Sequence, residues 1–172
     1  MRKIAFSAIL LLCVSLCACG KKPVFETVDD QIVPALAEEP SYVIFVSLPQ
    51  DVTEQTFFDD QNRHLFTQAE GNYEVMTEVL SDLSTEEALR SITGMDRQAI
   101  TVLKTEVNGM PEYHASWTSM TDEGAYLSRM VMVSAGGNYY CMRFSAPEEL
   151  GAEVQDTMEE IFASFALEPL ES

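Results

Sequence analysis

Three hydrophobic regimes follow one another along the chain. The first is a block. After Met1-Arg2-Lys3, residues Ile4 to Leu16 are apolar apart from Ser7 and Ser15. Thirteen residues are too few for a spanning helix, which needs about 20, and suit the core of a signal peptide, about 7–15 residues long. The second regime, Gly20 to Pro40, has no period. It holds Lys21-Lys22, then Pro23, Pro34 and Pro40 with acids between them, and its apolar pairs Val24-Phe25 and Ile32-Val33 are too isolated to build an element. It reads as a tether whose r.m.s. span is about 25 Å. The third regime begins near Ser41 and has the short periods of a folded domain.

In that domain the spacing predicts strands first. Tyr42 to Leu48 is an apolar, β-branched run ended by Pro49. Thr56-Phe57-Phe58 is a short strand candidate, and Asp59-Asp60-Gln61-Asn62 a turn. Arg63 to Gln68 and Tyr73 to Leu80 flank the turn residues Glu70-Gly71-Asn72, with Tyr73, Val75, Thr77 and Val79 on one face. Ser84-Thr85-Glu86-Glu87 is a capping box that opens a helix of two to three turns, carrying Ala88, Leu89 and Ile92 and stopping at Gly94.

Two hairpins follow. Ala99 to Val107 turns at Asn108-Gly109, the strongest hairpin signal in the chain. A two-residue loop sets Val107 against Met110, Val102 against Ala115 and Ile100 against Trp117 on an apolar face. Leu103 then opposes His114, and Thr101 opposes Ser116, on a mixed one. A one-residue slip would expose Trp117. After Asp122-Glu123-Gly124, Tyr126–Ser134 and Tyr139–Ser145 pair around Gly136-Gly137, with Val131 opposite Met142, Met132 opposite Cys141 and Val133 opposite Tyr140. Both faces of this pair are apolar, as in central strands covered on both sides. Ser145-Ala146-Pro147-Glu148 reads as a second capping box. Leu150, Val154, Met158, Ile161, Phe162 and Phe165 then form one helical stripe, and Pro169 marks the end. Hairpins followed by helices give an α+β class: an antiparallel sheet of about six to seven strands with a short helix and a long amphipathic C-terminal helix packed on it.

The end of the N-terminal block resembles the lipobox of bacterial lipoproteins, with Leu16 at −3, Ala18 at −1 and Cys19 at +1. The +1 thiol accepts a diacylglyceryl group, and a small −1 residue lets the peptidase reach the bond. Cys17 and Cys13 follow the bulky Leu16 and Leu12 and do not suit cleavage. The resemblance implies cleavage between Ala18 and Cys19, lipid (palmitate among its chains) on Cys19, and a membrane anchor with the domain on the extracytoplasmic side. Secretion without lipid is the alternative. Residues 1–18 would then be signal, 19–40 anchor and tether, 41–168 the domain and 169–172 a tail.

Charge narrows the partners. The chain has 10 basic and 28 acidic residues, net −18. Loss of residues 1–18 removes Arg2 and Lys3 and no acid, leaving 8 basic residues and net −20. That argues against nucleic acid and against docking on anionic lipid. Cys141 would be the only cysteine of the mature domain besides Cys19, so no internal disulfide is expected, and its apolar strand makes it a small buried hydrophobe.

Candidate chemistry is sparse. His64 and His114 are far apart in sequence and read as structural, and no His/Cys/Asp set has metal-ligand spacing. Asp59-Asp60-Gln61-Asn62 lacks the EF-hand glycine and distant glutamate. No phosphate loop or nucleophile elbow is present, and acids of the last helix fall on its wet side. Met110, Met120, Met130, Met132 and Met142 read as core filling rather than a soft-metal or adaptable ligand surface. Neither a cofactor, a metal nor a catalytic residue is expected, and the ligand-binding residues are unassigned.

The order of elements resembles the PsbP/Mog-type fold. So does the texture of the Asn108-Gly109 hairpin, of Tyr139-Tyr140-Cys141-Met142-Arg143-Phe144, and of Ser145-Ala146-Pro147-Glu148-Glu149 leading to Ile161-Phe162-Ala163-Ser164-Phe165. Small bacterial lipoproteins carry such a domain. The resemblance covers residues 41–168 and implies a non-enzymatic module that binds a protein in the envelope or a small ligand. A hydrolase or other enzyme with a site assembled from distant residues, and a purely structural envelope component, are the alternatives. Replacing Cys19 with alanine is expected to move the protein out of the membrane fraction and abolish labelling by radioactive palmitate. A variant that stays with membranes and keeps its label would refute the lipobox reading.

Overall fold

The computed structural model describes residues 39–55 and 62–170. The signal segment, Ala18, Cys19 and nearly all of the tether lie outside the described residues. So do Thr56-Phe57-Phe58 and Asp59-Asp60-Gln61.

The elements run β1 (Tyr42–Phe45), β2 (Val52–Gln55), β3 (Arg63–Gln68), β4 (Glu74–Ser81), α1 (Thr85–Thr93), β5 (Val102–Val107), β6 (Met110–Thr121), β7 (Gly124–Ala135), β8 (Asn138–Pro147), α2 (Gly151–Ser164) and β9 (Ala166–Pro169). Seven strands form one sheet in the order β2-β3-β4-β8-β7-β6-β5, and β1 pairs with β9 in a second sheet. Every ladder is antiparallel. The mostly antiparallel sheet with two helices is the α+β architecture expected.

Local chemistry explains the turns and the first helix. Asn108 and Gly109 take φ of 51° and 81°, the left-handed pair that a two-residue hairpin needs to match strand twist. The register follows: Val107 faces Met110 and Val102 faces Ala115. Val131 faces Met142, Met132 faces Cys141 and Val133 faces Tyr140 in the next hairpin. At α1 the Glu87 N–H donates to Ser84 Oγ, while the Ser84 N–H donates to the Glu87 carboxylate at 2.8 Å. The Ser84 hydroxyl also donates to that carboxylate, at 2.7 Å, and the two bonds to it, first the backbone one and then the hydroxyl, hold the Glu87 carboxyl below its ordinary value. Gly94, at φ 69°, ends the helix by donating to Arg90 O.

Four expectations are corrected. Ser145 does not cap a helix: β8 continues through Pro147, and the Ser145 hydroxyl pairs with Ser128 Oγ at 2.9 Å. A 3₁₀ turn at Glu148–Leu150 precedes α2, whose N-cap, Leu150, makes no side-chain cap bond. The apolar stripe therefore spans fewer helical turns than its spacing suggests. The helix stops at Ser164, and the chain past Phe165 extends as β9 to pair with β1, so Tyr42 faces Pro169. Likewise β1 ends at Phe45 and belongs to the small sheet. Finally, Ile100 is not laddered to Trp117, because residues 97–99 form a 3₁₀ turn and β5 starts at Val102. Both side chains still pack in the same core cluster. Strand β2 had no sequence signal, since Val52-Thr53-Glu54-Gln55 carries a single apolar residue.

The sheet is covered on both faces. On one, α1 sets Ala88, Leu89 and Ile92 against Met76, Met130, Met132, Tyr139 and Cys141. On the other, Val154 and Ile161 of α2 meet Val75, Val131, Met142 and Phe144, with Val46, Leu48 and Phe66 beside them. Tyr140 anchors the small sheet. Its hydroxyl accepts the Ser41 N–H at 3.1 Å, and its ring meets Tyr42 edge-on at 5.7 Å. Glu78 is buried and paired with Arg63 through Nε at 2.8 Å and through Nη2. Truncating Ile92, which is fully buried in the α1 cluster, to alanine should cost about 2–5 kcal/mol of stability. Urea denaturation would read this as a lowered midpoint, and an unchanged midpoint would contradict the packing of α1.

Candidate functional site

The sheet is wider than what covers its α2 face. Strands lie about 4.8 Å apart, and one helix is about 10–12 Å across, so a single helix shields two or three strands. Here α2 packs on Val75, Val131, Met142 and Phe144 of the middle strands and leaves the β5–β6 side open. A groove of about 670 Å³ results, walled by Glu159, Phe162 and Ala163 of α2 and by Phe165, Ala166 and Leu167 where the helix turns into β9. Its floor is Val131 and Val133 of β7 with Val107 and Met110 from the hairpin.

Besides Glu159 in the α2 wall, three ionisable side chains break this apolar surface. Glu112 and His114 occur two apart on β6 and so share a face. His114 Nε2 lies 2.5 Å from Glu112 Oε1, and both side chains are mostly sheltered, at 29% and 19% exposure. Arg129 of β7 places its guanidinium carbon 4.5 Å from the centroid of the Phe162 ring. This cation–π contact ties the sheet to α2 at the groove's edge. An apolar trough with a few placed charges is the ordinary form of a ligand or peptide site. No Ser, Thr, Cys or Tyr is among the groove's lining residues.

The structure separates the residues singled out in the sequence. His64 lies on β3, four strands from β6 in the sheet order. Its Nδ1 is 2.6 Å from Glu54 Oε1, and its ring stacks on Phe66 at 6.4 Å. Cys141 is fully buried among the α1-side core residues. Burial, and then the charge of Glu78, push its thiol well above its ordinary value, which makes it a poor nucleophile. Met130, Met132 and Met142 fill the core, but Met120 is 82% exposed and Met110 lines the groove, so the core reading fails for those two. Among the described residues no three His, Cys, Asp or Glu side chains are placed to hold a metal ion. Among the same residues no helix is long and apolar enough to cross a membrane.

Glu112, Arg129 and Phe162 were not singled out as site residues. The alternation that puts Glu112 and His114 on one face was legible in the sequence. The approach of Phe162 to Arg129 was not, because it depends on where α2 crosses the sheet.

No protein-family model matches the sequence, and no curated protein does. Solved structures are similar to this chain. The solution structure of cyanobacterial PsbP (CyanoP) from Synechocystis sp. is 9% identical, with a TM-score of 0.52 over 74% of this chain and 93% of that one. A protein from Bacteroides thetaiotaomicron is 14% identical at a TM-score of 0.49 over 75% of this chain. This chain covers less than half of that protein's length, 46%. LpqN of Mycobacterium tuberculosis, described as involved in cell envelope biogenesis, is 10% identical at a TM-score of 0.44 over 77% of this chain and 87% of that one. The likeness to CyanoP supports a PsbP-like fold.

The state of Cys141 is directly measurable. Iodoacetamide should modify its peptide at least about a hundredfold more slowly in the native protein than in urea, as burial requires. Mass mapping of the Cys141 peptide reads the rate, and equal rates would show an exposed thiol.

Proposed function

We propose that this chain is a lipid-anchored extracytoplasmic lipoprotein whose acidic PsbP-like domain is a non-catalytic binding module. Its ligand, a protein segment of the envelope or a small molecule, lies along the groove beside α2. One observation carries the reading. The groove combines an apolar floor with a wall where His114 and Glu112 touch and a ring-held Arg129, a surface suited to contact. The lipobox residues Leu16, Ala18 and Cys19 support the anchor. Two or more acyl chains make such an attachment stable, at about 0.8 kcal/mol per buried methylene.

The His114–Glu112 pair also favours a second reading, a hydrolase in which the imidazole activates water. Binding and hydrolysis separate cleanly in experiment. Ala163 is exposed on α2 and lines the groove, so Ala163→Arg fills the trough without disturbing the core. A partner should co-purify stoichiometrically with the wild-type protein from solubilised membranes and fall at least about tenfold with the variant, the loss expected when about 1.4 kcal/mol of contact is removed. Equal recovery, or no partner, counts against the groove as the binding site. Hydrolysis of an ester or peptide panel that is lost in His114→Ala would establish the enzyme instead.

A further inference from the structure

The opposite face of the sheet holds a second concavity. Strands β6, β7 and β8 extend past the end of α1, and beyond Thr93 they leave a pocket of about 490 Å³, within the usual range of small-molecule sites. We propose that it binds a small zwitterion: an α-amino acid or a short peptide with a free ammonium and a free carboxylate. This site is separate from the groove beside α2 and does not depend on it.

The lining divides by charge. Arg143 of β8 is half-buried, and one of its N–H groups donates to Ile92 O at 3.2 Å. That bond fixes the guanidinium against the last turn of α1 and leaves its other donors without a protein hydrogen-bond acceptor among the described residues. A carboxylate suits that fork. Ser128, almost fully buried, and Ser145 join hydroxyls at 2.9 Å on the same wall. Each keeps acceptor capacity for a ligand N–H. Glu74, Asp122 and Glu123 line the pocket too, and all three are exposed. Glu74 and Asp122 make no ion pair within 4 Å among the described residues, although the charge of Glu74, with that of Glu78, acts on Arg143 and offsets part of the effect of its burial. The charges of Glu123 and Glu74 reach Tyr126, whose phenol is pushed up first by its bond to Glu123, then by burial and by the charges of Glu123, Glu74 and Glu149. Trp117 completes the wall with a flat apolar surface.

A simple anion would meet three carboxylates, and a simple cation would meet the partly desolvated Arg143. A zwitterion answers both, with its carboxylate toward Arg143 and its ammonium toward the acidic rim. The side chain of the amino acid then lies against the Trp117 indole.

Trp117 is the chain's single tryptophan and lines this pocket, so its fluorescence reports on ligand entering there. The purified full chain in detergent would be titrated with the common amino acids and with the dipeptides Ala-Ala and Ala-Phe. At least one should shift the emission with a Kd below about 10 mM, and its N-acetylated and methyl-ester forms should bind at least about tenfold more weakly. Arg143→Gln should weaken binding similarly. Because Arg143→Gln also removes the bond to Ile92 O, the exposed triple variant Glu74→Gln, Asp122→Asn, Glu123→Gln provides a second arm, with the same expected loss and an unchanged circular dichroism spectrum. No response to any probe at about 10 mM overturns the proposal. So does equal binding of the N-acetylated or ester forms, or an equal response to neutral monosaccharides.

Discussion

The ladder between β4 and β8 is the contact on which the rest of the molecule depends. It joins eight residue pairs, from Glu74 with Ser145 to Ser81 with Asn138. It unites a three-stranded meander, β2-β3-β4, with a four-stranded one, β5 to β8, across a sequence gap of more than fifty residues. Without it each meander would have a bare edge and half a core. Ser81 Oγ donates to Asn138 Oδ1 at 2.6 Å at one end of the ladder, and Asn138 is fully buried. A buried amide left without such a partner would cost about 1–3 kcal/mol, which penalises any other register.

This junction also dictates the helices. The chain must travel from β4 in the middle of the sheet to β5 at its edge, and α1 makes that passage over one face. The chain leaves β8, again in the middle, and α2 folds back over the other. Central strands therefore receive cover on both sides, and Val75, Met130, Met132, Tyr140, Cys141 and Met142 are almost wholly removed from solvent. The peripheral strands receive less. Both concavities lie where cover runs out: one beside α2 over β5 to β7, the other past the end of α1 over β6 to β8. The candidate sites are thus consequences of a seven-stranded sheet served by two helices of 9 and 14 residues.

The two concavities differ in chemistry because alternate residues of the same strands face opposite ways. Along β7, Arg129, Val131 and Val133 face the groove, while Ser128 faces the polar pocket. Along β6, Glu112 and His114 belong to the groove, and Trp117 and Ser119 to the pocket. One set of strands supplies an apolar trough with a histidine–glutamate wall on one side and a guanidinium with hydroxyls and acids on the other.

Local features were legible because local chemistry decides them. Asn108-Gly109 dictated a tight hairpin and hence the pairing of Val102 with Ala115, and Ser84 with Glu87 dictated the start of α1. Apolar residues on both faces along residues 126–145 showed strands buried on both sides. The second capping box failed because Ser145 had a competing partner, Ser128, that only strand pairing brings within reach. The pairing of β1 with β9 was hidden for the same reason: Ala166-Leu167-Glu168-Pro169 has no strand signal of its own and is held extended by Tyr42–Phe45. The sites themselves were beyond the sequence. Glu112 and His114 share a face by alternation, but the approach of Phe162 to Arg129 and of Arg143 to Ile92 O depends on where each helix crosses the sheet. Sequence by itself determined the turns, the cap of α1, the two-sided burial of the central strands and the acidic charge, all set by neighbours a few residues apart. Tertiary structure alone decided which strands meet across long gaps and where two helices leave the sheet uncovered, because those follow from competition among distant surfaces for one core.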